Sequence, residues 1–79
     1  MKVKVGIIHT TPATISSLEK LAERILPEAE RVHILDDSIL KDMIAGKSTE
    51  DVKKRWMAYA EILKEQGADA VLSGVLHRG

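Results

Sequence analysis

The chain alternates between two hydrophobic periodicities, and this alternation limits its fold more than any other feature of the sequence. Apolar residues recur at helical spacing in two segments, Ile15 to Pro27 and Ser48 to Gly67. Apolar or β-branched runs predict three short strands, over residues 3–8, 31–35 and 68–74. The β-α-β-α-β order requires parallel strands with right-handed crossovers. We therefore predict an α/β fold.

The first strand is the most continuously apolar, so it is expected in the middle of the sheet. This places the strands in the order 2-1-3 and the two long helices on opposite faces. Ser16 and Glu19 have the spacing of a capping box for the first helix. A helical turn over residues 39–45 is expected to end at Gly46.

The second long helix has the clearest signals. Ser48 or Thr49 can cap it, and acidic residues follow in its first turn. Trp56 and Met57 are interpreted as core residues because they lie among apolar residues at helical spacing. Gly67 is expected to end the helix.

Composition excludes several classes of protein. The 79 residues include 12 basic and 12 acidic side chains and no cysteine, so we expect one small domain over residues 1–79 without disulfides or a thiolate nucleophile. The basic run Lys53-Lys54-Arg55 lies among acidic residues and indicates a solvated helix face, not a nucleic-acid site. No apolar run is long enough to span a membrane, and no signal peptide is recognised, which favours a cytoplasmic protein.

Polar residues follow each predicted strand, at the edge where an open parallel sheet binds ligands. They are His9-Thr10-Thr11, Asp36-Asp37-Ser38 and Ser73-Gly74. The threonines lie just before a helix N-terminus, which favours an anion. A phosphate loop needs more glycine than this segment has, so a planar carboxylate is the better candidate. The predicted substrate-binding residues are His9, Thr10, Thr11, Asp37, Ser73 and Gly74.

Simpler roles stand beside this prediction. Thr11 or Thr14 can cap the first helix, and residues 36–38 can begin the following turn. His33 alternates with apolar neighbours, so a half-exposed position is favoured over a ligand role. Two further alternatives are a small enzyme that uses His9 with Asp36 or Asp37, and a metal site built from His9, Asp36, Asp37 and either His33 or His77. Since compact ligand spacing is missing, no metal and no cofactor are predicted.

Three motifs in order, VGIIHTTPAT, ILDDSIL and EQGADAVLSG, resemble the amino-terminal part of the aspartate/glutamate/hydantoin racemase superfamily. The resemblance runs to about Gly74. It implies two facing α/β domains around a small carboxylate-bearing substrate, with one cysteine from each domain acting as acid or base without a cofactor. By resemblance, Thr10 and Thr11 match the hydroxyl-bearing loop, and Ser73 and Gly74 precede the first catalytic cysteine.

The chain departs from the family where catalysis begins. Val75 stands where the resemblance requires cysteine, and Leu76-His77-Arg78-Gly79 replace small polar residues. Valine has no exchangeable proton, so no catalytic residue is predicted. We therefore expect a truncated racemase-like half-domain that is inactive alone and keeps part of a carboxylate-binding edge. The alternative is a structural module that forms a homodimer through an open sheet edge without a ligand.

Overall fold

The computed structural model describes residues 3–73 and has the predicted sheet. Strands β1 (Lys4–His9), β2 (Glu30–Leu35) and β3 (Ala70–Ser73) form a three-stranded sheet in the order β2-β1-β3. Both pairings are parallel. The α/β class and the 2-1-3 order are thus confirmed.

The register of the strands determines which side chains share a face of the sheet. Ile7 of β1 lies opposite His33 of β2 and Leu72 of β3. Side chains alternate along a strand, so these three residues share one face with His9. Gly6 lies on the other face, against Leu63.

Three helices connect the strands: α1 (Ala13–Ile25), α2 (Asp37–Ile44) and α3 (Thr49–Glu65). Helix α1 lies on the His9 face, where its Thr14 and Glu19 side chains bond to the two histidines of the sheet. Helix α3 covers the Gly6 face and also packs against α2. Helices therefore lie on both faces, as expected, and the short turn after β2 is a two-turn helix.

The predicted start of α1 is wrong. The helix begins at Ala13 after Pro12, with no side-chain cap, so Ser16 is a helical residue and makes no capping box with Glu19. Glu19 instead bonds to Arg31 and His33 of β2, because a partly buried cation attracts its carboxylate more strongly than a helix terminus does.

The other helix boundaries follow the sequence signals. The Ser48 side chain accepts a hydrogen bond from the Glu50 amide at 3.2 Å and so caps α3. Gly46 and Gly67 have φ of +76° and +91° after α2 and α3, a conformation that strongly favours glycine. Within residues 3–73, none of these helices has the length and apolar character needed to cross a membrane.

The buried apolar core is small. The described part of the chain buries five hydrophobic side chains, namely Val5, Ile7, Ile8, Ile39 and Leu63. Met57 is 60% exposed, so its interpretation as a core residue is wrong, and its neighbour Trp56 is half-buried. Helix α1 has no buried residue at all. Much apolar surface is therefore left in contact with solvent.

Candidate functional site

The carboxyl ends of the strands meet at one edge of the sheet. His9 lies opposite Leu35, and the next amide, that of Asp36, donates to the His9 carbonyl at 3.0 Å. Ser73 ends β3 opposite Ile8. The loops after the strands therefore start side by side, which is the arrangement expected from the topology.

The predicted site residues have different environments at this edge. His9 is fully buried and Thr10 is 4% exposed, whereas Thr11 is half-buried. Asp37 is exposed in the first turn of α2 and pairs with Lys41 at 3.2 Å. Ser73 is the last residue of β3 and has interactions of its own. Gly74 lies outside the described residues, as does His77.

The His9 ring belongs to a continuous chain of hydrogen bonds beneath α1. Its Nδ1 lies 2.7 Å from Thr14 Oγ1, and its Nε2 lies 2.7 Å from Nδ1 of His33. The Thr14 hydroxyl donates to the Thr11 carbonyl at 3.1 Å. At the other end, Nε2 of His33 lies 2.9 Å from the Glu19 carboxylate. Both ring nitrogens of His9 are therefore occupied by protein groups.

The two ends of this chain of hydrogen bonds favour different charge states. Burial favours an uncharged group at the His9 end, and the ion pair favours charged groups at the Glu19 end. Burial, and then the neighbouring His33, lower the pKa of His9. Hydrogen bonds from Arg31, and then from His33, lower the pKa of Glu19 to about 2. Arg31 donates to both Glu19 oxygens, and the pair raises the pKa of Arg31. Burial thus favours the neutral form of His9, while the ion pair favours the charged forms of Glu19 and Arg31.

A second cluster closes the end of β2. The Asp36 carboxylate caps α2 by accepting from the Ser38 amide at 2.9 Å, and it also accepts from the Ser38 and Tyr59 hydroxyls. Arg55 donates to Ser38 and to Asp42. The Ser38 hydroxyl, followed by Tyr59, lowers the pKa of Asp36, while Asp36 raises the pKa of Tyr59. The turn-forming role of residues 36–38 is confirmed, with the added effect that α2 is fixed to α3.

The two clusters are saturated with internal hydrogen bonds. No buried side-chain nitrogen or oxygen atom within residues 3–73 lacks a hydrogen-bond partner. In the same range, no group of three or more His, Cys, Asp or Glu side chains is arranged to hold a metal ion. What the histidine chain can do chemically is carry or redistribute a proton, because each of its contacts joins groups that can donate or accept.

The sequence analysis missed the partners of His33. Its alternation with Val32 and Ile34 correctly indicated a partly exposed position, but its contacts with His9 and Glu19 depend on strand register and on the placement of α1. Strand alternation places His9 on the Ile7 face, but whether His33 shares this face depends on the register of β1 and β2.

No protein-family model, curated protein or solved structure matches this chain. The resemblance to the racemase superfamily therefore stays an interpretation of the three quoted motifs.

Proposed function

We propose that this chain is an assembly module that completes its hydrophobic core by pairing the outer edge of β3 with β3 of a second copy. The observation that carries the proposal is that apolar clefts lie on both faces of the sheet beside this same edge.

The two edges of the sheet differ in how they are protected. Proteins usually guard an exposed edge strand with charged residues or proline. The β2 edge has Glu30, Arg31 and His33, whereas the β3 sequence Ala-Val-Leu-Ser has neither charge nor proline. Strand β3 pairs with β1, and no other described strand pairs with its far side. An unguarded edge of this kind favours strand addition.

The cleft on the α1 face lies directly beside that edge. It has a volume of about 320 Å³, and among the described residues that line it only Arg31 is charged. Leu72 of β3 forms part of its wall and is 52% exposed. Opposite the sheet, the apolar wall is formed by α1 and the residue after it, chiefly through Leu18, Leu21, Ile25 and Leu26. Covering this cleft would remove large aliphatic side chains from water.

The second cleft lies on the opposite face and borders the same strand. Its volume is about 400 Å³, and Ser73 of β3 forms part of its rim. The apolar lining comes from α2 and α3, through Met43, Val52, Trp56 and Met57. A partner that extended the sheet past β3 and had helices on both faces would cover both clefts together.

A second copy satisfies these conditions through a two-fold axis perpendicular to the sheet. Such an axis pairs β3 with its own copy in antiparallel fashion and keeps like faces together. Opposed residues of antiparallel strands share a face, so a pairing centred on β3 places either Val71 or Leu72 on the axis. In both registers the two α1-side clefts meet across the new seam. The formal net charge of zero gives no overall repulsion between copies.

We expect sedimentation equilibrium at micromolar concentration to give twice the chain mass for the wild type, and Leu72→Lys to weaken the association at least about tenfold. The lysine would place a charge in the apolar seam, near its symmetry mate, and tenfold in affinity corresponds to about 1.4 kcal/mol. Because Leu72 is half-exposed at an edge, the substitution should leave the monomer fold intact, which circular dichroism checks.

Ile44→Lys is the matched control, since it makes the same change at a position of α2 that is 79% exposed and lines neither cleft. It should associate like the wild type. A wild-type protein that stays at the monomer mass, or a Leu72→Lys variant that associates as tightly as Ile44→Lys, would rule out the proposal.

The racemase-like function, a remnant carboxylate-binding edge, is a second candidate. One observation favours it: α1 has neither a side-chain cap nor an acidic residue in its first turn, so neither position supplies a carboxylate to this N-terminus. Thr10 and Thr11 lie just before it. Without cysteine, the chain is proposed only to bind a small carboxylate there and not to racemise it.

If this edge binds carboxylates, succinate at millimolar concentration should shift the amide NMR signals of residues 10–15, and the neutral analogue succinamide should not. The physical reason is that only the dianion is attracted by the helix dipole and free N–H groups. Thr11→Val should weaken the response by removing a hydroxyl. Equal shifts with both compounds would contradict a carboxylate site.

A further inference from the structure

The hydrogen-bonded chain under α1 has a defined proton count when all of its contacts are made. The Thr14 hydroxyl donates to the Thr11 carbonyl, so its oxygen must accept from Nδ1–H of His9. One proton lies between Nε2 of His9 and Nδ1 of His33, and we place it on His33 because His9 is fully buried and burial lowers the pKa of His9. A carboxylate only accepts, so Nε2 of His33 must also carry a proton towards Glu19. In this state His9 is neutral and His33 carries both ring protons.

Removal of one proton leaves a second consistent arrangement. His33 keeps Nε2–H on Glu19 and accepts at Nδ1 from Nε2–H of His9. Nδ1 of His9 then becomes an acceptor, and the Thr14 hydroxyl must turn towards it. The Thr11 carbonyl loses its hydroxyl partner in the exchange.

A third arrangement, with both rings doubly protonated, is unfavourable. It would point two N–H groups at each other across 2.7 Å, between rings whose centroids are 4.9 Å apart. His9 is also fully buried, where an unpaired charge is costly. The chain of contacts therefore accepts two protonation states and excludes the third.

We propose that Thr14, His9, His33 and Glu19 form a two-state proton latch that reports the protonation of the half-exposed His33 to the Thr11 carbonyl in the loop before α1. In the protonated state the Thr14 hydroxyl holds this loop. In the deprotonated state His9 changes from the Nδ1–H to the Nε2–H tautomer, and the Thr14 hydroxyl turns towards Nδ1 of His9. The loop then loses the hydrogen bond from Thr14 to the Thr11 carbonyl. This loop lies at the carboxyl edge of the central strand, so the latch controls the surface that the sheet topology makes available to ligands.

The charged groups around the latch come from two elements. Helix α1 contributes Glu19, with Glu23 acting on Arg31 over a longer distance, and β2 contributes Arg31 itself. Hydrogen bonds from Arg31, and then from His33, lower the pKa of Glu19 to about 2, so the carboxylate end of the latch stays an acceptor down to strongly acidic pH. The lowered pKa of His9 agrees with a ring that stays neutral while its neighbour changes protonation.

Nitrogen-15 NMR of the imidazole rings tests the latch directly, with pH varied on both sides of neutrality. On the acidic side we expect His33 with both nitrogens protonated and His9 as the Nδ1–H tautomer. On the basic side, both rings should be Nε2–H tautomers. The amide and carbonyl signals of Thr11 should shift along with the His9 tautomer.

Thr14→Val removes the hydroxyl with little change in shape and should abolish the coupling between the His9 tautomer and the Thr11 signals. Thr14→Ser should restore it, and Ser17→Ala, which removes an exposed hydroxyl of the same helix, should leave it unchanged. A His9 ring that keeps one tautomer throughout, or that becomes doubly protonated together with His33, would overturn the proposal.

The burial of His9 and the pairing of Glu19 with Arg31 also determine how the free energy of unfolding changes as the pH falls. The pKa of His9 lies below the 6.5 of an unfolded histidine, so the unfolded chain takes up this proton first. The contribution of His9 to the free energy of unfolding is fully present above pH 6.5 and decreases as the pH falls below that value. Glu19 adds a further loss as the pH falls from 4.5 towards 2, because the carboxylate takes up a proton in the unfolded chain before it does so beside Arg31.

Discussion

Ile39→Ala should lower the free energy of unfolding by about 3 kcal/mol. Ile39 is 1% exposed and is the only residue of α2 that is buried. Replacing it with alanine removes the buried side-chain carbons beyond Cβ. Apolar burial is lost, and a cavity is left in the core. A domain of this size has a total stability of about 4 to 12 kcal/mol, so the loss is a large share of it. Urea denaturation followed by circular dichroism measures the change.

Ile44→Ala provides the matched control on the same helix. Ile44 is 79% exposed, so the same substitution should change the free energy of unfolding by less than about 0.5 kcal/mol. Equal losses for the two variants would mean that the burial of Ile39 does not determine how α2 contributes to stability, since alanine raises the helix propensity at both positions. The comparison therefore isolates the packing of α2 against the rest of the molecule.

The fold was predictable from the sequence because its signals are local and agree with one another. The apolar run of β1 placed this strand in the centre, and the two long amphipathic segments supplied the covering helices. The glycines after α2 and α3 ended these helices where expected. Each of these features depends on residues within a few positions in the chain, and periodicity reports such residues well.

The candidate site was less predictable because its contacts join distant segments. Glu19 was interpreted as part of a capping box, but it pairs with Arg31, twelve residues further along the chain. The contact between His9 and His33 depends on the register of two strands. The spacing of residues along the chain predicts neither of these contacts. The sequence therefore indicated which edge would be polar but not which polar groups would bond to each other.

The two proposed properties use different parts of the same thinly packed helix. The N-terminal half of α1 is fixed to the sheet by polar bonds from Thr14 and Glu19. The C-terminal half presents exposed aliphatic side chains, including Ile25, to the cleft beside β3. A polar anchor at one end and an uncovered apolar surface at the other are consistent with a helix that completes its packing only when a partner is bound.

The closest packing in the sheet lies on the opposite face, where α3 crosses β1. A Cβ atom added at Gly6 would lie 2.7 Å from Leu63 Cδ1 and 2.9 Å from Cδ2. Leu63 is fully buried, so its side chain has no open space to move into. Gly6→Ala should therefore lower the free energy of unfolding by about 2 kcal/mol, as over-packing does in other cores. Urea denaturation measures this loss.

A double-mutant cycle with Leu63→Ala tests whether crowding is the cause. Leu63→Ala alone should cost about 3 kcal/mol, but it removes the atoms that Gly6→Ala would meet, so the second substitution should then cost much less. Gly67→Ala is the control, because its φ of +91° makes alanine unfavourable while no atom lies within 4 Å of the new Cβ. Its cost should be the same in both backgrounds. If Gly6→Ala behaved in the same additive way, close approach of α3 would not explain the glycine, and the sheet itself would have to require it.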